Sequence, residues 1–171
     1  MDKETAKSLA SSMEDFRLPK FSQLPDMGLY LEQTAKYINM QLAPLGLCEI
    51  TGSMIRNYVK MGLVKNPVKK QYYREHIARL IPLTVLKSVM TLDGVGQLFL
   101  LQLQSYDDET AFDYFCRELE NNVFYRFGIT DTLSSIGSSV SLEKEMLRSA
   151  ISAVSHIIYL NACLNQSTPS K

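Results

Sequence analysis

Apolar residues recur at helical spacing along most of this chain, and turn residues interrupt the pattern at several points. Asp26 and Thr51 precede two of the apolar runs and are suited to cap helices at their amino ends. Thr91 is suited to cap a third helix, and Gly62 is suited to end the helix that Thr51 begins. The pattern predicts helices over residues 27–42, 52–61, 74–90, 92–104, 107–127 and 142–164.

A short basic segment, LVKNPVKKQYYR, separates the second and third predicted helices. Asn66-Pro67 is a turn signal with β-branched residues on both sides, so the segment predicts two short strands in a hairpin. The order of helix, turn, second helix, basic hairpin and further helix is that of a winged helix-turn-helix domain. The sequence therefore predicts a mainly α protein with a short β-hairpin wing, followed by a C-terminal helical hairpin.

Four regions follow from these elements. Residues 1–15 are polar and predict a disordered tail, and an extended segment with two prolines then opens the winged helix-turn-helix domain at residues 16–104. Residues 105–165 form a C-terminal helical region, and residues 166–171 are a second tail. The loop between the two C-terminal helices is rich in Gly, Ser and Thr, which predicts mobility.

The last predicted helix carries apolar residues at near-heptad spacing: Met146, Ala150, Ala153, Ile157, Leu160 and Leu164. This stripe is suited to be the seam of a homodimer, or to pack against the 107–127 helix in the same chain, and the two arrangements are compatible. Aromatic residues of the region would line either a plain hydrophobic core or a pocket for an effector: Phe112, Phe115, Phe124 and Tyr125.

The composition of 46% hydrophobic and 21% charged residues is ordinary for a globular protein, but the charge is unevenly placed. Residues 54–87 hold eight basic residues and one acidic residue, a net charge of +7. Residues 1–53 carry a net charge of −2 and residues 88–171 one of −5, so the whole chain is neutral. The basic block indicates either an anion-binding surface or a solvated face that the acidic half balances after folding.

Several functional classes find no support in the sequence. No uninterrupted apolar run reaches about 18 residues and the amino end is polar, so we expect neither a membrane span nor a signal peptide, and a cytoplasmic location. Cys48, Cys116 and Cys163 lie far apart and are expected to be buried small hydrophobic residues. His76 is expected at the surface and His156 in helix packing. With no phosphate loop, nucleophile elbow or metal-ligand cluster, the sequence predicts no enzyme, no cofactor and no metal site.

One face of the 52–61 helix carries hydrogen-bond donors and no acid, and its members are Ser53, Arg56, Asn57 and Lys60. In a recognition helix, Arg56 would pair with guanine and Asn57 with adenine in the major groove. Phosphate contacts would come from Lys60 and, in the basic segment, from Lys65, Lys69, Lys70 and Arg74, with a hydroxyl added by either Tyr72 or Tyr73. These residues predict double-stranded DNA as the partner. A module that binds proteins through the same fold is the alternative.

The segment MIRNYVKMGLV resembles the recognition helix and first wing strand of MerR-type regulators. YYREHIARL is similar to the start of the family's helix after the wing, and MTLDGVGQLF to the segment where a Ser or Thr caps the next helix. The resemblance implies that Ile55, Tyr58, Gly62 and Leu63 are structural and that Arg56 faces DNA. The segments LPKFSQLPDMGLYLEQ, SMIRNYVKMGLV and VKKQYYREHIARLI more closely resemble a bacterial family of MerR-like domains of unknown function, of the DUF1836 type.

Overall fold

The computed structural model describes residues 2–137 and 141–167, and this part of the chain is mainly helical. Its seven α-helices are α1 (Lys3–Met13), α2 (Leu31–Leu42), α3 (Gly52–Lys60), α4 (Arg74–Leu86), α5 (Leu92–Ser105), α6 (Asp108–Arg126) and α7 (Leu142–Ser167). Two short strands, β1 (Leu29–Tyr30) and β2 (Gln71–Tyr72), pair antiparallel. The predicted mainly α class is confirmed.

Helices α3 to α7 lie close to their predicted positions, because local signals at their ends are strong. The Thr51 hydroxyl accepts the Met54 N–H at 3.2 Å, and the Thr91 hydroxyl accepts the Gly94 N–H at 3.1 Å. Gly62 follows α3 with φ at +75°, a conformation that glycine adopts without strain. Each of these residues therefore performs the capping or stopping role that its sequence position indicates.

The amino-terminal predictions need two corrections. Residues 1–15 are not a disordered tail, since α1 covers Lys3–Met13 and buries Leu9 and Met13 against the rest of the protein. Asp26 does not cap α2, which begins at Leu31. The four residues after Asp26 cannot be helical because two of them, in β1, are extended and pair with β2.

Residues 16–24 form a strap on α6 that is extended, as the prolines of this segment predict, except for one turn of 3-10 helix at Phe21–Gln23. The Leu18 N–H donates to a carboxylate oxygen of Glu120 at 2.8 Å, and the Phe21 N–H donates to Asp113 at 2.7 Å. The strap also buries the side chains of Phe16, Leu18 and Leu24. These contacts join the amino-terminal part of the chain to α6.

The stability that the strap contributes should depend on pH through Glu120, and a neutral substitution should remove this dependence. Burial raises the pKa of the Glu120 carboxyl, while the Leu18 N–H and Arg17 oppose the rise. Its stabilising contribution is therefore complete below its ordinary pKa and is lost as the pH rises through the raised pKa. Glu120→Gln keeps an oxygen that accepts the Leu18 N–H and carries no charge. We expect the variant to be at least as stable as the wild type at about pH 7.

Urea unfolding at a series of pH values checks this expectation. The stability difference between variant and wild type should narrow as the pH falls toward about 4, because Glu120 becomes neutral there. Glu49→Gln serves as the matched control, since Glu49 is an exposed carboxylate in the loop before α3. A Glu120→Gln protein that is less stable than the wild type at neutral pH would contradict the expected cost of the buried charge.

Helices α6 and α7 pack along each other, but α7 does so through a different stripe from the one predicted. Its buried residues are Leu147, Ala150, Ile151, Val154, Ser155 and Ile158. Of the heptad stripe, Ala150 is buried, Met146 and Ile157 are half-buried, and Ala153, Leu160 and Leu164 are exposed. The intramolecular contact is thus present, and one apolar side of α7 remains at the surface.

A buried ion pair links α6 to α7. Glu118 is 2% exposed, and its carboxylate accepts from Arg148 Nε at 2.9 Å and from the Tyr114 hydroxyl at 2.8 Å. Desolvation, followed by the hydrogen bond to Glu118, raises the pKa of Tyr114 to about 12. Arg148 also donates to the Ile136 carbonyl at 2.7 Å and to Glu145 at 3.2 Å. One carboxylate therefore organises both helices and the loop between them.

Helix α7 between Leu142 and Gln166 is long and apolar enough to cross a membrane by length and composition, contrary to the expectation that no segment would be. This is weak support for a membrane span, because a helix that packs in a protein core passes the same test. The predicted tail at 166–171 is helical at its first two residues, and residues 168–171 lie outside the described part of the chain.

The cysteines, histidines and aromatic residues differ in part from expectation. Cys116 is buried, and burial raises the pKa of its thiol, but Cys48 is exposed and Cys163 half-buried. His156 is exposed rather than packed, because its ring nitrogen bonds the Ser152 carbonyl on the outer side of α7. The four aromatic residues do not share a pocket: Phe112 and Phe115 are core, Phe124 is half-buried, and Tyr125 is exposed.

Candidate nucleic-acid interface

Helix α3 separates an apolar side from a polar side, as its spacing predicts. Ile55 and Tyr58 are buried against α2 and the core. The predicted contact residues of α3 are all exposed: Ser53, Arg56, Asn57 and Lys60. The hydrogen bonds they form with one another or along the helix are long, such as 3.4 Å from Arg56 to Ser53. Their donors are therefore available to a partner.

The eight basic residues of the 54–87 block divide into two groups. Arg74, Arg79 and Lys87 are partly buried and contact other parts of the protein. The other five are exposed, and none forms an ion pair with a carboxylate within residues 2–137 and 141–167: Arg56, Lys60, Lys65, Lys69 and Lys70. The acidic C-terminal half therefore does not neutralise these five through direct pairs.

Two of the free lysines occupy a tight turn, Val68–Gln71, which we call the basic turn. The Val68 and Gln71 backbones exchange hydrogen bonds of 3.0 and 2.9 Å. Lys69 and Lys70 have φ values of +50° and +65°. Positive φ at both central residues defines a type I′ turn, in which Asn and Gly are preferred and a lysine is strained.

The expected wing is smaller than a two-stranded hairpin. Val68 makes only an isolated bridge to Gln71 across the basic turn. The partner of β2 is instead β1, which lies directly before α2. Leu29 faces Tyr72 and Tyr30 faces Gln71 in this pairing. The segment before Asn66-Pro67 contributes no strand among the described residues, because Pro67 interrupts its backbone hydrogen bonding.

Two predicted phosphate ligands are structural instead. Tyr72 is 3% exposed, and burial raises the pKa of its hydroxyl. Arg74 is half-buried and donates to the carbonyls of Leu24 at 3.2 Å and Ser22 at 3.4 Å, with Asp26 at 3.8 Å. Arg74 therefore fastens the strap to the start of α4.

His76 was expected at the surface, but it is buried and holds the backbone around the start of α4 in place. Its Nδ1 accepts the Tyr73 N–H at 2.9 Å. A neutral ring that accepts at Nδ1 carries its proton on Nε2, which lies 3.1 Å from the Asn66 carbonyl and donates to it. His76 thus caps α4 and fixes the segment that leads into the basic turn.

One member of the α3 face, Arg56, lies near the strand that follows the basic turn. The Arg56 guanidinium lies near enough to Tyr72 for its charge to oppose the rise in the pKa of the tyrosine. Tyr72 directly follows the basic turn, as part of β2. At the amino end of α3, a side chain on Gly52 would overlap the Glu32 carboxylate, so an acid already occupies that end of the helix. The five exposed cations of the 54–87 block therefore lie on the middle and carboxyl end of α3, at the basic turn and, with Lys65, in the segment between them.

The fold and this surface together define a mainly helical domain with a small antiparallel sheet and an exposed basic face. The chain belongs to the DUF1836 family, a domain of unknown function whose family model matches residues 19–123. No curated protein and no solved structure matches this chain. The matched region runs from the strap into α6, and so crosses the expected domain limit at residue 104.

Proposed function

We propose that this protein is a DNA-binding transcriptional regulator with a MerR-like winged helix-turn-helix domain. In this proposal α2 and α3 are the helix-turn-helix pair, α3 is the recognition helix, and the basic turn is a reduced wing. Arg56 and Asn57 read base edges, and Lys60, Lys65, Lys69 and Lys70 contact phosphates. The support comes from the exposure of these six side chains and from the nearness of Arg56 to Tyr72, which directly follows the basic turn.

The observation that carries the proposal is the pair of strained lysines in the basic turn. Lys69 and Lys70 both adopt positive φ, at a cost that an Asn-Gly pair would avoid. Neither lysine gains an ion pair within the described residues that would offset this cost. Two adjacent positive charges held at a turn tip are suited to a polyanion, because they contact phosphates without regard to base sequence.

Fluorescence anisotropy of the purified protein with mixed-sequence duplex DNA, across a salt series, tests the proposal. Four lysines on phosphates predict that log K falls against log salt concentration with a slope of roughly −4. Binding at low salt that weakens in this way would support DNA contact. No binding at low salt would contradict it and favour the alternative of a protein-binding module.

Replacing the strained lysines separates their two effects. In a Lys69→Asn/Lys70→Gly variant, we expect stability to stay equal or rise by about 1 kcal/mol, because both residues suit a type I′ turn. Affinity for all DNA sequences should fall, and the salt slope should lose roughly 2 in magnitude. Urea unfolding and anisotropy measure the two quantities on the same samples. An unchanged slope would place both lysines away from phosphate.

We also propose that a second copy of the chain covers the apolar side of α7. Residues 149–166 contain no Asp, Glu, Lys or Arg, so two copies of this helix meet without charge repulsion. The members of the heptad stripe that are not buried within one copy, Met146, Ala153, Ile157, Leu160 and Leu164, extend over about 27 Å at 1.5 Å per residue. A twofold axis through this stripe buries the same residues in both copies and supplies two recognition helices, which matches the need of such domains for two half-sites.

Leu160 is the position at which this seam is most easily broken. Leu160 is 59% exposed in one copy, so Leu160→Lys should leave the fold intact. The variant should be monomeric at concentrations where the wild type is dimeric, because a lysine in the seam buries an unpaired charge. Analytical ultracentrifugation measures the difference, with Leu133→Lys as a control at another exposed leucine. A monomeric wild type would contradict the proposed dimer.

A further inference from the structure

A cavity of about 490 Å³ lies between the segment that follows α3, the start of α4, and α5. Its apolar lining comes from both sides and includes Met61, Leu63, Phe99, Leu100 and Leu103. Leu100 and Leu103 are exposed, whereas Phe99 is buried, so the cavity has an open side and an enclosed side. The volume falls within the range of sites that hold small organic molecules.

Arg79 brings a positive charge to this apolar cavity. Its side chain is only 17% exposed, and its guanidinium lies 4.5 Å from the centre of the Phe99 ring. Desolvation lowers the pKa of Arg79, and Asp108 at 2.9 Å opposes the change. The guanidinium has five N–H donors, and within the described residues its hydrogen bonding consists of one bond to Asp108. Arg79 therefore retains donors for a further acceptor.

The other charged residues that line the cavity change the electrostatic environment of Arg79 only slightly. Lys65 lines the cavity and forms no ion pair within the described residues. Asp108 and Arg79 form a nearly neutral pair, so what Arg79 offers a ligand is the N–H donors that Asp108 does not use. Two further lining acids, Glu75 and Asp93, are exposed to solvent, where water and salt screen their charges. The partly buried donor that a ligand would meet is thus the guanidinium.

We propose that this cavity binds a small organic anion with an apolar body, its acidic group on Arg79 and its body against Phe99, Leu100 and Leu103. The inference goes beyond DNA binding and does not depend on it. Arginine donates two parallel hydrogen bonds to carboxylate, sulfonate or phosphate oxygens, and a half-desolvated guanidinium gains more from such a partner than an exposed lysine does. Met61 and Leu63 place the ligand in contact with the segment between α3 and the basic turn.

Two fluorescent probes with the same aromatic frame test this assignment. 1-Anilinonaphthalene-8-sulfonate is an apolar anion, and N-phenyl-1-naphthylamine is its neutral counterpart without the sulfonate. The wild type should bind the anion about tenfold more tightly, which is the usual gain from a hydrogen-bonded ion. Equal affinities would overturn the role of the guanidinium, and no binding of the anion would overturn the site as a whole.

Single substitutions test whether the two probes bind in this cavity. Leu103→Asp at the rim should abolish binding of both probes, whereas Met40→Asp, at an exposed methionine of α2, should change neither. Arg79→Gln should remove the preference for the anion and retain binding of the neutral probe. Circular dichroism checks that each variant is folded. Anion binding that survives Leu103→Asp at full affinity would show that the probe occupies another surface, and would overturn the proposal without bearing on DNA.

Discussion

Replacing Glu118 by alanine is expected to lower the free energy of unfolding by about 3 kcal/mol. The substitution leaves the partly buried Arg148 guanidinium with the exposed Glu145 as its remaining carboxylate among the described residues, and it leaves the Tyr114 hydroxyl without its acceptor. It also removes packed atoms from a site that is 2% exposed. Urea unfolding followed by circular dichroism gives the value, and the slope against urea shows whether unfolding remains two-state.

Two further variants separate the buried pair from ordinary packing. Glu145→Ala removes the outer carboxylate of Arg148, which is half-exposed, and should cost less than about 1 kcal/mol. Glu118→Ala/Arg148→Met removes both charges and should recover part of the loss, because no unpaired ion then remains in the helix interface. A double variant as unstable as the sum of Glu118→Ala and the single variant Arg148→Met would contradict coupling between Glu118 and Arg148.

Reversing two charges on α3, in Arg56→Glu/Lys60→Glu, is expected to weaken DNA binding by more than about 100-fold at low salt. Both side chains are exposed, so the fold should persist. The acids would repel phosphates where the wild type attracts them, and the base-reading hydrogen bonds of Arg56 would be lost. Anisotropy with mixed duplex DNA measures the change.

Net charge alone must be excluded as the cause of such a loss. Lys3→Glu/Lys7→Glu makes the same change in net charge on α1, where both lysines are exposed. Compared at about 0.1 M salt, this control should bind DNA nearly as well as the wild type, because salt at that concentration screens surface charges more than about 10 Å from the contact. Equal losses in both variants would indicate a general electrostatic effect, and no loss in the α3 variant would move the interface elsewhere.

Elements whose signals are local were predictable from the sequence. Thr51 and Gly62 bracket α3 within twelve residues, and both lie where their chemistry requires. The β1–β2 pair was not predictable, because Leu29 and Tyr72 are far apart in the sequence and two-residue strands carry no periodic signal. The α1 helix was mistaken for a tail since its polar exposed side dominates its composition, and only Leu9 and Met13 are buried.

In the candidate site, too, residues with local signals were predictable, and residues with distant partners were not. The exposed donors of α3 follow from helical spacing, which assigns a face without knowledge of the rest of the fold. The sequence predicted Arg74 as a phosphate ligand because no local signal reveals its real partners. These partners, the carbonyls of Ser22 and Leu24, lie some fifty residues earlier in the chain. His76 had an available signal, since it stands three residues after Tyr73, where a polar side chain can reach back to the N-cap N–H.

The strap and its hydrogen bonds to α6 have a consequence for synthesis on the ribosome. Leu18 and Phe21 are made early, but their acceptors Glu120 and Asp113 follow 102 and 92 residues later. At about 5–20 residues per second, this interval lasts roughly 5–20 s. The strap must therefore remain undocked, with its apolar side chains uncovered, until α6 leaves the exit tunnel. Nascent chains arrested before α6 should recruit chaperones that bind exposed apolar segments, and chains arrested well after it should not.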